Sequence, residues 1–222
     1  MNTLLLILLQ LYTSFFGRET NRALDFLEKN NSEITSTLSE MNQEDLETAM
    51  AIVAPELSQY STISDMLEMR SLFITYRNFG RGDFSVGYFQ MKPSFIEELE
   101  REIRKDKKLG KKYKTYLITG DDKTIRETRL NRLSTLEWQL KYLKLFIDVA
   151  GIKTKGMKFK SPEDRLRYWA TLYNSGFNSS PQRVEKMQKI KYFPRNKNKF
   201  NYADVSAEFY RLFQEKGTFN NK

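Results

Sequence analysis

Apolar positions along this chain recur at three- and four-residue intervals far more often than at every second residue, the spacing that gathers them on one face of an α-helix. Leu46, Ala49, Met50 and Val53 form such a stripe. Asn42 precedes it as a side chain able to accept from free helix N–H groups, and Glu44, Asp45 and Glu47 favour the positive end of the dipole. At Pro55 the stripe breaks, because proline lacks an N–H and disfavours helical backbone at Ala54, so Glu56 is expected at a helix end or kink. Met66, Leu67, Met69, Leu72, Phe73 and Tyr76 predict a helix over 64–79 that Gly80 stops. The polar stretch 19–40, with scattered Leu, Phe and Ile, predicts one or two short surface helices.

Residues 80–83 read as a tight turn, and its Arg81-Gly82-Asp83 triplet as part of that turn instead of an adhesion signal. The following run, Phe84 to Met91, holds the one short extended pattern, with a glutamine among apolar and aromatic side chains. Ser94 and Glu97 have capping-box spacing for a helix whose inner face is Phe95, Ile96, Leu99 and Ile103. Residues 104–114 read as a Lys-rich connection. From 124 to 151 the spacing of Ile125, Leu130, Leu133, Leu136, Leu140, Leu143 and Ile147 predicts one long central helix, on the order of 40 Å at about 1.5 Å per residue. Ser161-Pro162 and Ser180-Pro181 are helix starts with a hydroxyl cap and proline in the first turn. The first launches Leu166, Trp169, Ala170 and Tyr173 and closes at Asn174-Ser175-Gly176. Residues 196–201 form a basic loop, and Val205, Phe209, Leu212 and Phe213 a last amphipathic segment. The expected class is mainly α, with at most a minimal β-hairpin or loop region near residues 84–91.

With 222 residues, 40% of them apolar, the chain supports one well-formed core. Residues 18–222 are expected to form a single helical domain with an N-terminal helical extension. Leu4 to Leu9 are continuously apolar and Phe15 and Phe16 extend the run, so residues 1–17 read as a signal peptide-like or membrane-anchoring segment. The formal charge of +9 arises after residue 70, whereas acids outnumber bases over 18–69. A basic surface draws polyanions, among them nucleic acids, anionic lipids and the carboxylate-rich polymers of a bacterial wall. No recognition helix, RNP-like run or zinc finger supports nucleic acid as the partner. The chain has no cysteine and no histidine, which removes disulfides, thiolate and imidazole nucleophiles or bases and the usual zinc sites. Acid–base chemistry falls to carboxylates, Tyr or Lys, and neither metal nor cofactor is expected.

Three short motifs give that chemistry a direction. Glu56-Leu57-Ser58-Gln59-Tyr60, Gly87-Tyr88-Phe89-Gln90-Met91-Lys92-Pro93-Ser94 and Ala170-Thr171-Leu172-Tyr173-Asn174-Ser175-Gly176 follow one another in that order. Together they resemble the lytic transglycosylases and goose-type lysozymes over roughly residues 50–180. The resemblance implies a lysozyme-like helical fold with a sugar cleft between two lobes, in an exported monomer of the bacterial periplasm or cell envelope that cleaves the β-1,4 MurNAc-GlcNAc bond of peptidoglycan glycan strands. It implies Glu56 as the single catalytic acid and base, Gly87, Tyr88, Phe89, Gln90 and Met91 as the glycan-binding wall, and Tyr173 and Asn174 beside the carboxyl. Asp83 is the acid nearest the second motif and the candidate for positioning a water. A carboxyl set among apolar and aromatic groups stays protonated near neutral pH and can protonate a glycosidic oxygen. Two features depart from the family pattern. Leu57, not Ser or Ala, follows the glutamate, and the interval from Glu56 to Gln90 is longer than common. They keep open the alternative of a catalytically inactive glycan-binding or scaffolding protein of the envelope.

Overall fold

The computed structural model describes residues 19–60, 62–82, 84–194 and 199–219, with backbone alone for 62–70. Residues 1–17 and Asp83, both singled out above, lie outside the described residues. The protein is mainly helical: α1 (19–29), α2 (Asn31–Thr37), α3 (Gln43–Gln59), α4 (Thr62–Phe79), α5 (Pro93–Lys105), α6 (Lys107–Lys112), α7 (Asp122–Leu133), α8 (Leu136–Lys153), α9 (Pro162–Ser175), α10 (Pro181–Met187) and α11 (Tyr202–Lys216). Two isolated antiparallel bridges, Val86 with Met91 and Phe193 with Phe200, close small hairpins among the described residues.

The axis of the molecule is α8. Leu140, Leu143, Leu145, Phe146 and Ala150 point in different directions from it and are all fully buried, and only a stripe through Glu137, Lys141, Asp148 and Ile152 keeps exposure to solvent. Its neighbours are α2, α3, α5, α7 and α9, while α11 lies across α3 and α9 to make a second layer. On the other side α4 packs on α7. There the Arg129 guanidinium reaches both oxygens of Glu100, at 3.1 and 2.8 Å, and also bonds Tyr76 and Glu97. That buried ion network ties α4, α5 and α7 together without leaving the arginine's charge uncompensated.

Local capping follows the sequence closely. Asn42 Oδ1 accepts from Asp45 N at 2.9 Å, Ser161 Oγ from Asp164 N at 3.1 Å and Ser180 Oγ from Arg183 N at 3.3 Å. Gly80 sits at φ 65 after α4, its N–H donating to Tyr76 C=O at 2.8 Å. The short helices α1 and α2 occupy the polar stretch, yet Ala23, Leu27, Ile34 and Leu38 are buried in the core.

Four expectations change. The long helix over 124–151 is two helices. Ser134 Oγ bonds back to Leu130 C=O at 2.9 Å, and Thr135, in extended backbone, accepts from Trp138 N at 3.4 Å to start α8 afresh. Hydroxyl side chains compete in this way with the helical backbone, and an apolar stripe that continues through the break conceals it. Residues 107–112 are the helix α6, capped by Asp106, which accepts from Lys108 N and Leu109 N at 2.8 and 2.9 Å. Helix α5 begins at Pro93 with Lys92 at the N-cap and no side-chain cap bond, so Ser94 is an exposed first-turn residue instead of a cap. Finally, α3 runs through Pro55 to Gln59. Proline inside a helix costs about 3 kcal/mol. Burial of Ala54, Pro55 and Leu57 offsets this, and Arg22 of α1 reaches the last-turn carbonyls of Ser58 and Tyr60 at 3.4 and 3.3 Å.

Candidate active site

The hairpin before α5 is built around one peptide. Val86 and Met91 exchange both backbone hydrogen bonds, at 2.9 and 3.1 Å, leaving four residues to reverse the chain. Gly87 turns at φ 73, and a Cβ there would fall 1.8 Å from Gln139 Nε2, so neither its backbone nor its surroundings admit another residue. Gln139, wholly buried on α8, donates from Nε2 to Leu133 C=O at 2.8 Å and accepts from Phe89 N–H at 2.8 Å. Phe89 C=O in turn accepts from the Tyr173 hydroxyl at 2.7 Å. Both sides of the Phe89 residue are thereby held, one by α8 and one by α9. Gln90 follows at φ 49, a left-handed conformation that costs about 1 kcal/mol for a residue with a side chain. Its Nε2 donates to Gly87 C=O at 2.9 Å.

This clamp sets one wall of a cleft of about 290 Å³ between α3, α5 and α9. Glu56, Gln90, Met91, Tyr173 and Asn174 all line it. Gly87, Tyr88 and Phe89, expected in the binding wall, do not. Phe89 is fully buried, and Tyr88 packs on the rings of Phe26 and Tyr60, with centroids 4.7 and 5.0 Å away. A one-turn hairpin cannot present every residue to the same side. These three anchor it to α1, α3 and α8, which leaves Gln90 and Met91 at the mouth. Phe95 of α5 continues the cleft wall, its ring edge-on to Tyr173 at 5.4 Å.

Glu56 projects from the last turn of α3 into this cleft. The residue keeps some exposure at the opening, but its carboxyl is surrounded by protein, and the lost hydration pushes it up to about 7. A hydrogen bond with the Tyr202 hydroxyl works weakly in the opposite direction. Tyr202 is placed by the residue before it. Asn201 Oδ1 caps α11 by accepting from Ala203 N at 2.9 Å, while Nδ2 donates to Met187 C=O and Ile190 C=O, each at 2.7 Å. The Tyr202 hydroxyl also donates to Ile52 C=O, one turn before Glu56, at 2.9 Å. Burial and the Glu56 charge hold the Tyr173 and Tyr202 hydroxyls well above the usual phenol range, and push Tyr192 up to about 12. Glu56 is thus a carboxylic acid able to give up a proton near neutral pH, hydrogen-bonded to the Tyr202 phenol and sharing its cleft with that of Tyr173, both of which stay protonated.

Several of these residues had no mark in the sequence as site residues. Gln139 was legible only as a polar interruption in an apolar helix. Tyr192 and Tyr202 come from a segment far along the chain. Glu98 of α5 also lines the cleft, with Oε2 accepting from Asn178 Nδ2 at 3.0 Å. Asn178 Oδ1 accepts in turn from Lys153 at 2.9 Å. Among the described residues no three acidic, His or Cys side chains are arranged to hold a metal ion, and no helix is long and apolar enough to cross a membrane. Comparison with protein-family models, with curated proteins and with solved structures finds no match to this chain.

Proposed function

We propose that this protein cleaves the β-1,4 bond between N-acetylmuramic acid and N-acetylglucosamine in peptidoglycan, with Glu56 as its one acid and base, in the manner of the lytic transglycosylases that its motifs resemble. The observation that carries the reading is the meeting of Glu56, poised near pH 7, with Gln90, Tyr173 and Asn174 in a single cleft. Protonated Glu56 gives its proton to the glycosidic oxygen as the C1–O bond breaks. The neighbouring N-acetyl carbonyl stabilises C1, which removes the need for a second carboxylate. Glu56, now ionised, takes the proton of the muramoyl 6-hydroxyl as that oxygen closes on C1, giving a 1,6-anhydro end and restoring the acid. Water in place of the 6-hydroxyl gives hydrolysis. In this reading residues 1–17 direct or anchor the chain at the bacterial envelope, and glycan strands are its partner.

Incubation with purified sacculi, followed by mass spectrometry of the soluble products, tests the proposal. Anhydro-muropeptides are expected, and their loss in Glu56→Gln with the fold intact. New reducing ends would assign hydrolysis, and absence of any release between pH 4 and 8 would overturn cleavage altogether. One observation favours the alternative of glycan binding without cleavage. Leu57 is buried in the core, so the residue that follows the glutamate brings no hydroxyl to the cleft. Sedimentation with sacculi and no product would be its signature.

A further inference from the structure

The lysines of 107–112 form the outer face of a fixed helix. Asp106 caps α6, Leu109 is buried, and a Cβ on Gly110 would lie 3.1 Å from Ile103 C=O, so the helix is seated closely on the end of α5. At about 100° per residue, Leu109 and Gly110 share the inner side. Lys107, Lys108, Lys111 and Lys112 share the outer side, and all four are exposed. Like charges at that spacing repel. Lys112 is paired with Asp148 at 2.7 Å, but among the described residues no carboxylate lies within ion-pair distance of Lys107, Lys108 or Lys111. The end of α8 lies beside this face. Between them is a groove of about 230 Å³ lined by Leu109, Val149 and Ile152 together with Lys105 and Lys153. Its apolar side reaches the surface, where Ile152 is 44% exposed. Glu102, also in the groove, is neutralised between Lys105 at 3.4 Å and Lys153 at 3.5 Å. The chain then runs on through Lys153, Lys155, Lys158 and Lys160 with no acid among them, and Met157 in their midst is 39% exposed.

We propose that α6 and residues 152–160 form one docking surface for an anionic phospholipid membrane, with the lysines on lipid phosphates and Ile152 and Met157 at the acyl boundary. Charge complementarity selects a polyanion, and the exposed apolar side chains select which one. A nucleic acid or a carboxylate-rich wall polymer presents charge along a strand and leaves Ile152 and Met157 in water. A lipid surface meets both needs, because hydrocarbon lies just beneath its phosphates. Lysine suits that boundary, its stem lying along apolar surface while the ammonium stays among the headgroups. The face shares no residue with the lining of the Glu56 cleft, so the inference stands apart from the glycan reading.

The test is sedimentation of the full chain with vesicles of phosphatidylcholine alone and of phosphatidylcholine mixed equally with phosphatidylglycerol. Residues 1–17 carry no Lys or Arg, so any binding they give is common to both vesicles, and the readout is the ratio of the two partition coefficients. A lysine near an anionic membrane is worth about fivefold in partitioning. The ratio should strongly favour the anionic vesicles and fall about 100-fold when Lys107→Gln, Lys108→Gln and Lys111→Gln are combined. Lys29→Gln, Lys123→Gln and Lys216→Gln together make the same change of charge on α1, α7 and α11 and should lower it far less. Ile152→Ser with Met157→Ser should weaken binding to the anionic vesicles about tenfold. Every side chain replaced is exposed, so each variant should melt with the wild type. No preference for anionic vesicles, an equal loss in the dispersed triple variant, or no effect of the serine pair would overturn the proposal. Duplex DNA bound as tightly as the anionic vesicles, and indifferent to the serine pair, would make the face a polyanion site and refute the membrane assignment.

Discussion

The protonated state of Glu56 can be read from stability without any substrate. An ordinary glutamate carboxyl titrates at 4.5, and in the folded protein burial moves Glu56 to about 7. Each tenfold change in proton affinity is worth about 1.4 kcal/mol, so the fully ionised residue costs the folded state about 3 kcal/mol. The direction follows from the raised value. The favourable contribution of neutral Glu56 is complete below pH 4.5 and is lost as pH rises through about 7. Glu56→Gln keeps the shape and cannot ionise. It should therefore match the wild type in stability near pH 4 and exceed it by about 3 kcal/mol at pH 8.5. For a chain of 222 residues this is a rise in melting temperature of about 6–12 °C. Thermal and urea denaturation followed by far-UV circular dichroism at a series of pH values measures the difference. The other carboxylates titrate in both proteins and cancel. A difference that stays constant with pH, or a glutamine variant that is less stable at pH 8.5, would show that the folded protein holds Glu56 as a comfortable carboxylate and would refute the reasoning.

Two further outcomes test the clamp that carries Gln90. Gly87→Ala puts a methyl group 1.8 Å from Gln139 Nε2 at a φ of 73, and should destabilise the protein by about 3 kcal/mol or more in urea denaturation, through strain and the broken Gln139 bridge; a change under 1 kcal/mol would mean that the hairpin is not seated on α8. Tyr173→Phe leaves Phe89 C=O without its donor and should cost about 1–2 kcal/mol while lowering sacculus cleavage more through kcat than through KM; an unchanged rate would remove Tyr173 from the positioning of Gln90.

Much of the fold was legible because helix starts, stops and faces are local. Asn42, Ser161 and Ser180 cap the helices that their spacing announces, and Gly80 and Gly176 end α4 and α9, since a cap bond or a positive φ involves only residues within a few positions. The glutamate, the glutamine and the Tyr-Asn pair were equally visible as motifs. Their meeting in one cleft was not, because it depends on how α3, α5 and α9 pack around α8. Packing also overruled local preference at Pro55, where burial on both sides carries the helix past the proline and so sets the direction of Glu56. The hydroxyls of Ser134 and Thr135 broke a stripe whose apolar spacing ran straight through them. The least predictable part is the chemistry of Glu56 itself. Its acidity depends on the water that the surrounding protein excludes and on Tyr202, a phenol more than a hundred residues away along the chain. No local pattern encodes that environment; it exists only once α11 closes over α3.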